Sequence, residues 1–228
     1  MLQLEFFNVS KGILSAMSTL LFLAGSLFGL LAQEASASCS YQPPQIEVTT
    51  QFDGPTLDRS QSSASLGASL GNESSEFTTQ GVTRTKSYVK RNISVSFSQM
   101  RDGQLCANIQ QISVLVALEG PAQVFVASEV EPGSCRDRVT IEHEQLHINH
   151  AFEAQQKTKE AIEQKLPSAL RRILPVVARD GDQAVAMIGA HLDGIIDQIS
   201  APIDAERSAK DRAIDTRESY KRLTAMCP

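Results

Sequence analysis

Three of the four histidines in this 228-residue chain fall within eight residues, in the stretch RVTIEHEQLHINHAFEAQQK, 138–157. Inside it, His143-Glu144-Gln145-Leu146-His147 has the HExxH form. On a helix, residues four apart lie about 40° apart round the axis, so both imidazoles face one side and can reach a single ion. Glu144 follows one position on, about 100° further round, where its carboxylate can take a proton from a water beside that ion. Zinc suits imidazole ligands and lowers the pKa of a bound water towards about 7, which makes attack on a peptide carbonyl feasible near neutrality. Glu144 is then the general base and passes the proton to the leaving amine. The competing explanation is a chance match on the polar face of a solvated helix, since only three positions of the pattern are fixed.

This chemistry needs a helix to carry it. After Pro132-Gly133 the composition turns to Ala, Glu, Gln, Lys and Arg, and Ser134 and Asp137 can start a helix that runs without Gly or Pro to Leu166. Pro167 is expected to stop it. Ile141 and Leu146 give that helix an apolar side for packing. Further helices are expected over about 168–179, 182–200 and 203–226, with breaks at Asp180-Gly181 and Ala201-Pro202. Before the helix, TKSYVKRNISVSFSQM, CANIQQISVLVAL and AQVFVASEV are rich in β-branched and alternating residues and read as three antiparallel strands. YQPPQIEVTTQF reads as a fourth strand near 45–52 that joins them. The Ser- and Gly-rich segment 54–81 reads as a flexible insertion. The expected fold is α+β: a small antiparallel sheet in a β-rich part, 38–133, packed on the HExxH helix and C-terminal helices of a helical part, 134–228, as one globular domain.

The stretch VFVASEVEPGSCRDRVTIEHEQLHINHAFEA, 124–154, resembles the core of the zincin superfamily. More narrowly, it is similar to a poorly characterised bacterial family of predicted secreted zinc-dependent proteases. There a strand, a short loop and HExxH recur, followed near the C-terminus by a helical stretch containing Asp-Thr. DRAIDTRESY, 211–220, is the matching stretch here. The resemblance covers residues 105–155 well and the C-terminal helices weakly; it implies a zincin-like fold and Zn2+, but no particular substrate.

A catalytic zinc needs three protein ligands and a water. The pattern HExxHxxGxxH would place Gly at 150 and His at 153, whereas this chain has His150 and Glu153. His150 shares a face with His143 and His147, but seven residues put its backbone about 10 Å from that of His143. The third ligand is therefore expected from a later helix. Asp204, Asp211 and Asp215 form one stripe at i, i+7 and i+11. Asp215 leads because it matches the Asp-Thr of the similar family; Asp211, Glu206 and His150 are the alternatives. Asp215 to Glu218 also reads as a helix N-cap with its capping-box Glu.

Residues 12–32 are an almost uncharged apolar run, and Ala35-Ser36-Ala37 is a small-x-small cleavage signature. Residues 1–37 thus read as a signal peptide, with an uncleaved alternative in which 12–32 stays as an inner-membrane anchor. The mature chain would be periplasmic or secreted and would meet a membrane only if uncleaved. It keeps Cys39, Cys106, Cys135 and Cys227, an even set that suits two disulfides in an oxidising compartment. The expected pairing is Cys106–Cys135 with Cys39–Cys227, and no CxxC pair suggests zinc ligation by sulfur. Net charge is −5 with both signs interspersed, so no basic stripe for nucleic acid exists. The expected function is an exported zinc-dependent metallopeptidase acting on a peptide or protein substrate. The alternative is a non-catalytic, disulfide-stabilised envelope protein whose HExxH holds a structural metal or is a chance match.

Overall fold

In the computed structural model of the chain, which describes residues 39–70 and 78–227, the Val- and Ile-rich run Leu105–Leu118 is the central strand, β5, of the larger sheet. It pairs with β1 (Gln45–Gln51) in parallel and with β4 (Ser87–Gln99) in antiparallel fashion. A short strand, β7 (Val176–Ala178), runs antiparallel to the first residues of β5. A second sheet holds β2 (Thr56–Asp58), β6 (Gln123–Val126) and β3 (Gly81–Arg84) in the order β2-β6-β3. Among the described residues, four helices complete an α+β architecture: α1 (Ser63–Ser69), α2 (Cys135–Ile173), α3 (Gly181–Ile214) and α4 (Arg217–Ala225). The expected leader, 1–37, and residues 71–77 of the Ser- and Gly-rich segment lie outside the described residues. No described helix is long and apolar enough to cross a membrane.

Two apolar cores lie along the 39 residues of α2. Towards its C-terminal end, Ile162, Leu166 and Leu170 repeat every four residues and so form one stripe. They pack with Ile112, Val114 and Val116, alternate residues of β5, and with Ile188 and Leu192 of α3. Towards its N-terminal end, Ile148 packs with Val82 of β3, Val124 and Phe125 of β6, and Leu66 of α1. The small sheet thus lies under the half of α2 that carries the histidines.

Four expectations are corrected. The sheet is not a single antiparallel one: β1 and β2 each run parallel to their partners, and β6 leaves the main sheet for the second. Alternation tells which residues face a core, but it carries no strand direction. Second, much of 54–81 is ordered as β2, α1 and β3. Third, Pro167 and Pro202 lie inside α2 and α3, not at their ends. Pro167 cannot donate to the Glu163 carbonyl, but both residues are exposed, so water can replace that bond. The fully buried Leu166 and Leu170 on the adjacent, core-facing side hold the helix together.

The fourth correction is the disulfide pairing, which is Cys39–Cys106 and Cys135–Cys227. Cys106 lies beside β7, and the rest of β5 runs about 40 Å away before the chain turns towards Cys135. The first bridge staples the start of the described chain to β5. The second staples Cys227, two residues past the end of α4, to the first residue of α2. Two such bridges fit folding in a non-reducing, extracellular-type environment.

Continuity of α2 through Pro167 is open to direct test. Pro167→Ala restores a main-chain donor on an exposed helical face and should raise stability in urea denaturation by up to about 3 kcal/mol. A helix that ended at residue 166 would show no gain.

Candidate metal centre

The start of α2 is fixed before the histidines are reached. Ser134 caps it by accepting from the Asp137 amide at 3.1 Å. The Asp137 carboxylate accepts from the Gly133 amide at 2.8 Å and pairs with Arg59 at 2.8 Å. Two turns on, His143 and Glu144 are buried, at 6% and 3% exposure. His147 and His150 are partly covered on the side facing α3.

Helix α3 returns antiparallel to α2, and the pairs between them show the register. Lys157 meets Glu206 at 2.6 Å, Glu153 meets Lys210 at 2.6 Å, and His150 and His147 meet Asp211 at 2.8 and 3.1 Å. Asp215 caps the end of α3, and Thr216 caps α4 by accepting from the Ser219 amide at 3.1 Å. The expected N-cap role of Asp215 thus falls to Thr216. Asp215 instead turns its Oδ1 to within 3.0 Å of His143 Nε2 and 3.2 Å of His147 Nε2. Ligand atoms held about 2.0–2.1 Å from a tetrahedral zinc are roughly 3.3 Å apart, so both histidine–Asp215 separations stand near the edge length of such a site, and all three ligand atoms lie within 4.8 Å of one another.

Glu144 faces the second sheet. The Thr83 hydroxyl of β3 donates to its backbone carbonyl at 3.3 Å. Gly81 gives its carboxylate room: a Cβ there would lie 2.5 Å from Glu144 Oε1 and 2.7 Å from Thr140 Cγ2. Glu144 Oε2 is buried with no hydrogen-bond partner. Burial raises the Glu144 pKa above the ordinary carboxylate range, partly offset by the Thr83 hydrogen bond and the two histidines. Tyr220 of α4 donates to Asp215 Oδ1 at 2.8 Å, and its ring centre is 5.4 Å from that of His143. Burial and the Asp215 carboxylate push the Tyr220 hydroxyl well up, so it keeps its proton and stays a donor.

Two imidazole nitrogens and one carboxylate match the donor set of a catalytic zinc site with an open fourth position. The unpartnered, buried Glu144 Oε2 is the kind of atom that a water beside the ion would satisfy. The residues therefore fit Zn2+. Of the expected site residues, His143, His147 and Asp215 come together with Glu144 beside them. Asp211 and His150 form a second group around the other nitrogen of His147. Glu206 is turned away and engaged with Lys157 and Lys210, so it is corrected as a ligand candidate. Asp204 is exposed and lines a different cleft, beside Arg91 and Asp193, and His191 is exposed on α3. Sequence reasoning missed Gly81, Thr83 and Tyr220. Only Tyr220 left a local signal, five residues after Asp215 on the next helix.

No protein-family model, no curated protein and no solved structure matches the chain. The site's own geometry therefore carries the functional argument.

In the metal-free protein, burial alone would lower the His147 pKa, but Asp215 and Asp211 outweigh it and raise it to about 9. His147 is then protonated at pH 7, whereas a metal needs its neutral ring. Zinc binding at pH 7 should release about one proton, seen calorimetrically as a dependence on buffer ionisation enthalpy. Affinity should rise up to about tenfold per pH unit and level off near pH 9. Binding indifferent to buffer and pH across this range would contradict the assignment.

Proposed function

We propose that the chain is an exported zinc-dependent metallohydrolase of zincin type, acting on peptide bonds. The observation that carries this reading is the convergence of His143 Nε2, His147 Nε2 and Asp215 Oδ1 beside the buried Glu144, whose Oε2 lacks a partner. His143, His147 and Asp215 would hold a zinc ion, which when bound would supply Lewis acidity towards a water and a substrate carbonyl. Glu144 accepts the proton of the attacking water at its carboxylate and returns it to the departing amine. Its raised pKa makes it a stronger base than a solvated carboxylate. Gly81 and Thr83 hold Glu144 from below, and Tyr220 hydrogen-bonds Asp215 and remains a donor beside the site. Exposure of 38% at the Asp215 side chain leaves an approach from solvent, which favours an open catalytic site over a closed structural one.

Thr83, which bonds the Glu144 carbonyl, also lines a cleft of about 410 Å3 with Arg84 and Arg207 among others. Export accords with the two disulfides and with the cleavable leader read from the sequence. The resemblance to secreted zinc-dependent proteases points the same way.

Two variants test the catalytic roles against a mixed peptide library. Glu144→Gln should retain stoichiometric zinc yet lower kcat at least 10²-fold, because the amide cannot accept the proton. Retained hydrolysis would remove Glu144 from the mechanism. Gly81→Ala should also retain zinc and lower kcat, since the added methyl must displace the Glu144 carboxylate. Unchanged turnover would show that Glu144 does not need this position.

A further inference from the structure

The two groups of donor atoms on α2 share one ring. His147 turns Nε2 to Asp215 at 3.2 Å and Nδ1 to Asp211 at 3.1 Å. His150 turns its own Nδ1 to the same oxygen of Asp211 at 2.8 Å. A neutral imidazole has one N–H and one lone pair, so a ring that gives its lone pair to a metal through one nitrogen carries its proton on the other. Two ions sharing His147 would require the ring to lose both protons. The metal side is the Nε2 side, because His143, Asp215 and the unpartnered carboxylate of Glu144 gather there. The proton therefore sits on Nδ1, facing Asp211.

We propose that Asp211 is the positioning residue of the centre: it accepts the Nδ1–H of His147, fixes that ring's tautomer and plane, and strengthens Nε2 as a ligand. The proposal rests on the zinc reading above. A carboxylate in this place raises the basicity of a ligating imidazole, and losing such a partner typically costs about 10–100-fold in metal affinity. Asp211 is itself held. His150 donates to its Oδ1, and Arg207 Nε lies 3.6 Å from its Oδ2. The Arg207 guanidinium also bonds the hydroxyls of Thr85 and Ser87, which ties it to the start of β4. A chain of contacts thus runs from the main sheet through Arg207 and Asp211 to His147. It gives His150 a role that is not ligation.

The test is zinc titration of the full chain, first stripped with a chelator, against a competing chromophoric chelator, with the unfolding of each metal-free variant measured alongside. Wild type should bind one zinc, and Asp215→Ala should lose it. Asp211→Ala should weaken binding about 10–100-fold at unchanged stoichiometry. Asp211→Asn should recover part of that loss, because its carbonyl oxygen can still accept Nδ1–H. Long-range 15N–1H spectra of the zinc-loaded wild type should place the His147 proton on Nδ1, a readout that needs no variant to fold. Wild-type affinity in Asp211→Ala, or zinc on Nδ1, would overturn the proposal while leaving the zinc reading intact. Two zinc ions per chain, one of them lost in Asp211→Ala, would overturn it in favour of a second metal site. A wild type that binds no zinc would overturn the functional reading first, and this inference with it.

Discussion

The register between the two long helices is the constraint on which the site depends. Helices α2 and α3 lie antiparallel, locked at one end by Ile162, Leu166 and Leu170 against Ile188 and Leu192. A slip of one residue would turn every side chain of one helix by about 100° and carry Asp211 and Asp215 off the histidine face. The apolar end therefore sets where the polar end meets. The exposed pairs Lys157–Glu206 and Glu153–Lys210 mark the same register, although surface ion pairs of this kind each contribute little to stability.

A second constraint comes from below. The half of α2 that carries the histidines rests on the small sheet, and β3 approaches Glu144 so closely that any Cβ at position 81 would force its carboxylate to move. The result is a carboxylate that is deeply buried and incompletely hydrogen-bonded. Such a group is costly to the fold and useful to a reaction, since the desolvation that raises its pKa also makes it a better base. From above, α4 has no buried residue of its own. Its position relies on the Cys135–Cys227 bridge and on the Tyr220–Asp215 hydrogen bond. The bridge thus joins the first residue of the histidine helix to the segment that closes over Asp215.

The parts of this arrangement that are written locally were legible in the sequence. HExxH, the Ser134 cap and the strand runs of β4 and β5 are short-range patterns, and each lies where those patterns put it. Asp215 was reachable from its stripe on the last helix and from the Asp-Thr resemblance. What was not legible depends on distant partners. Strand direction, the split into two sheets and the disulfide pairing follow from how the chain crosses over, and no local spacing encodes that. Pro167 and Pro202 read as stops because intrinsic propensity says so, whereas the buried Leu166 and Leu170 flanking Pro167 override it there. Gly81 was hidden for the same reason: its need for a bare Cα exists only because Glu144, far along the chain, comes to lie against it.

The central claim is that one zinc ion is held by His143, His147 and Asp215. Zinc-edge X-ray absorption on the purified full chain tests it most directly. The account predicts one zinc per chain with two imidazole nitrogens at about 2.0–2.1 Å and carboxylate oxygen at about 2.0–2.2 Å, the imidazole count falling to one in His143→Ala if metal is retained. A wild-type chain that takes up no zinc, or a zinc shell without imidazole, would contradict it.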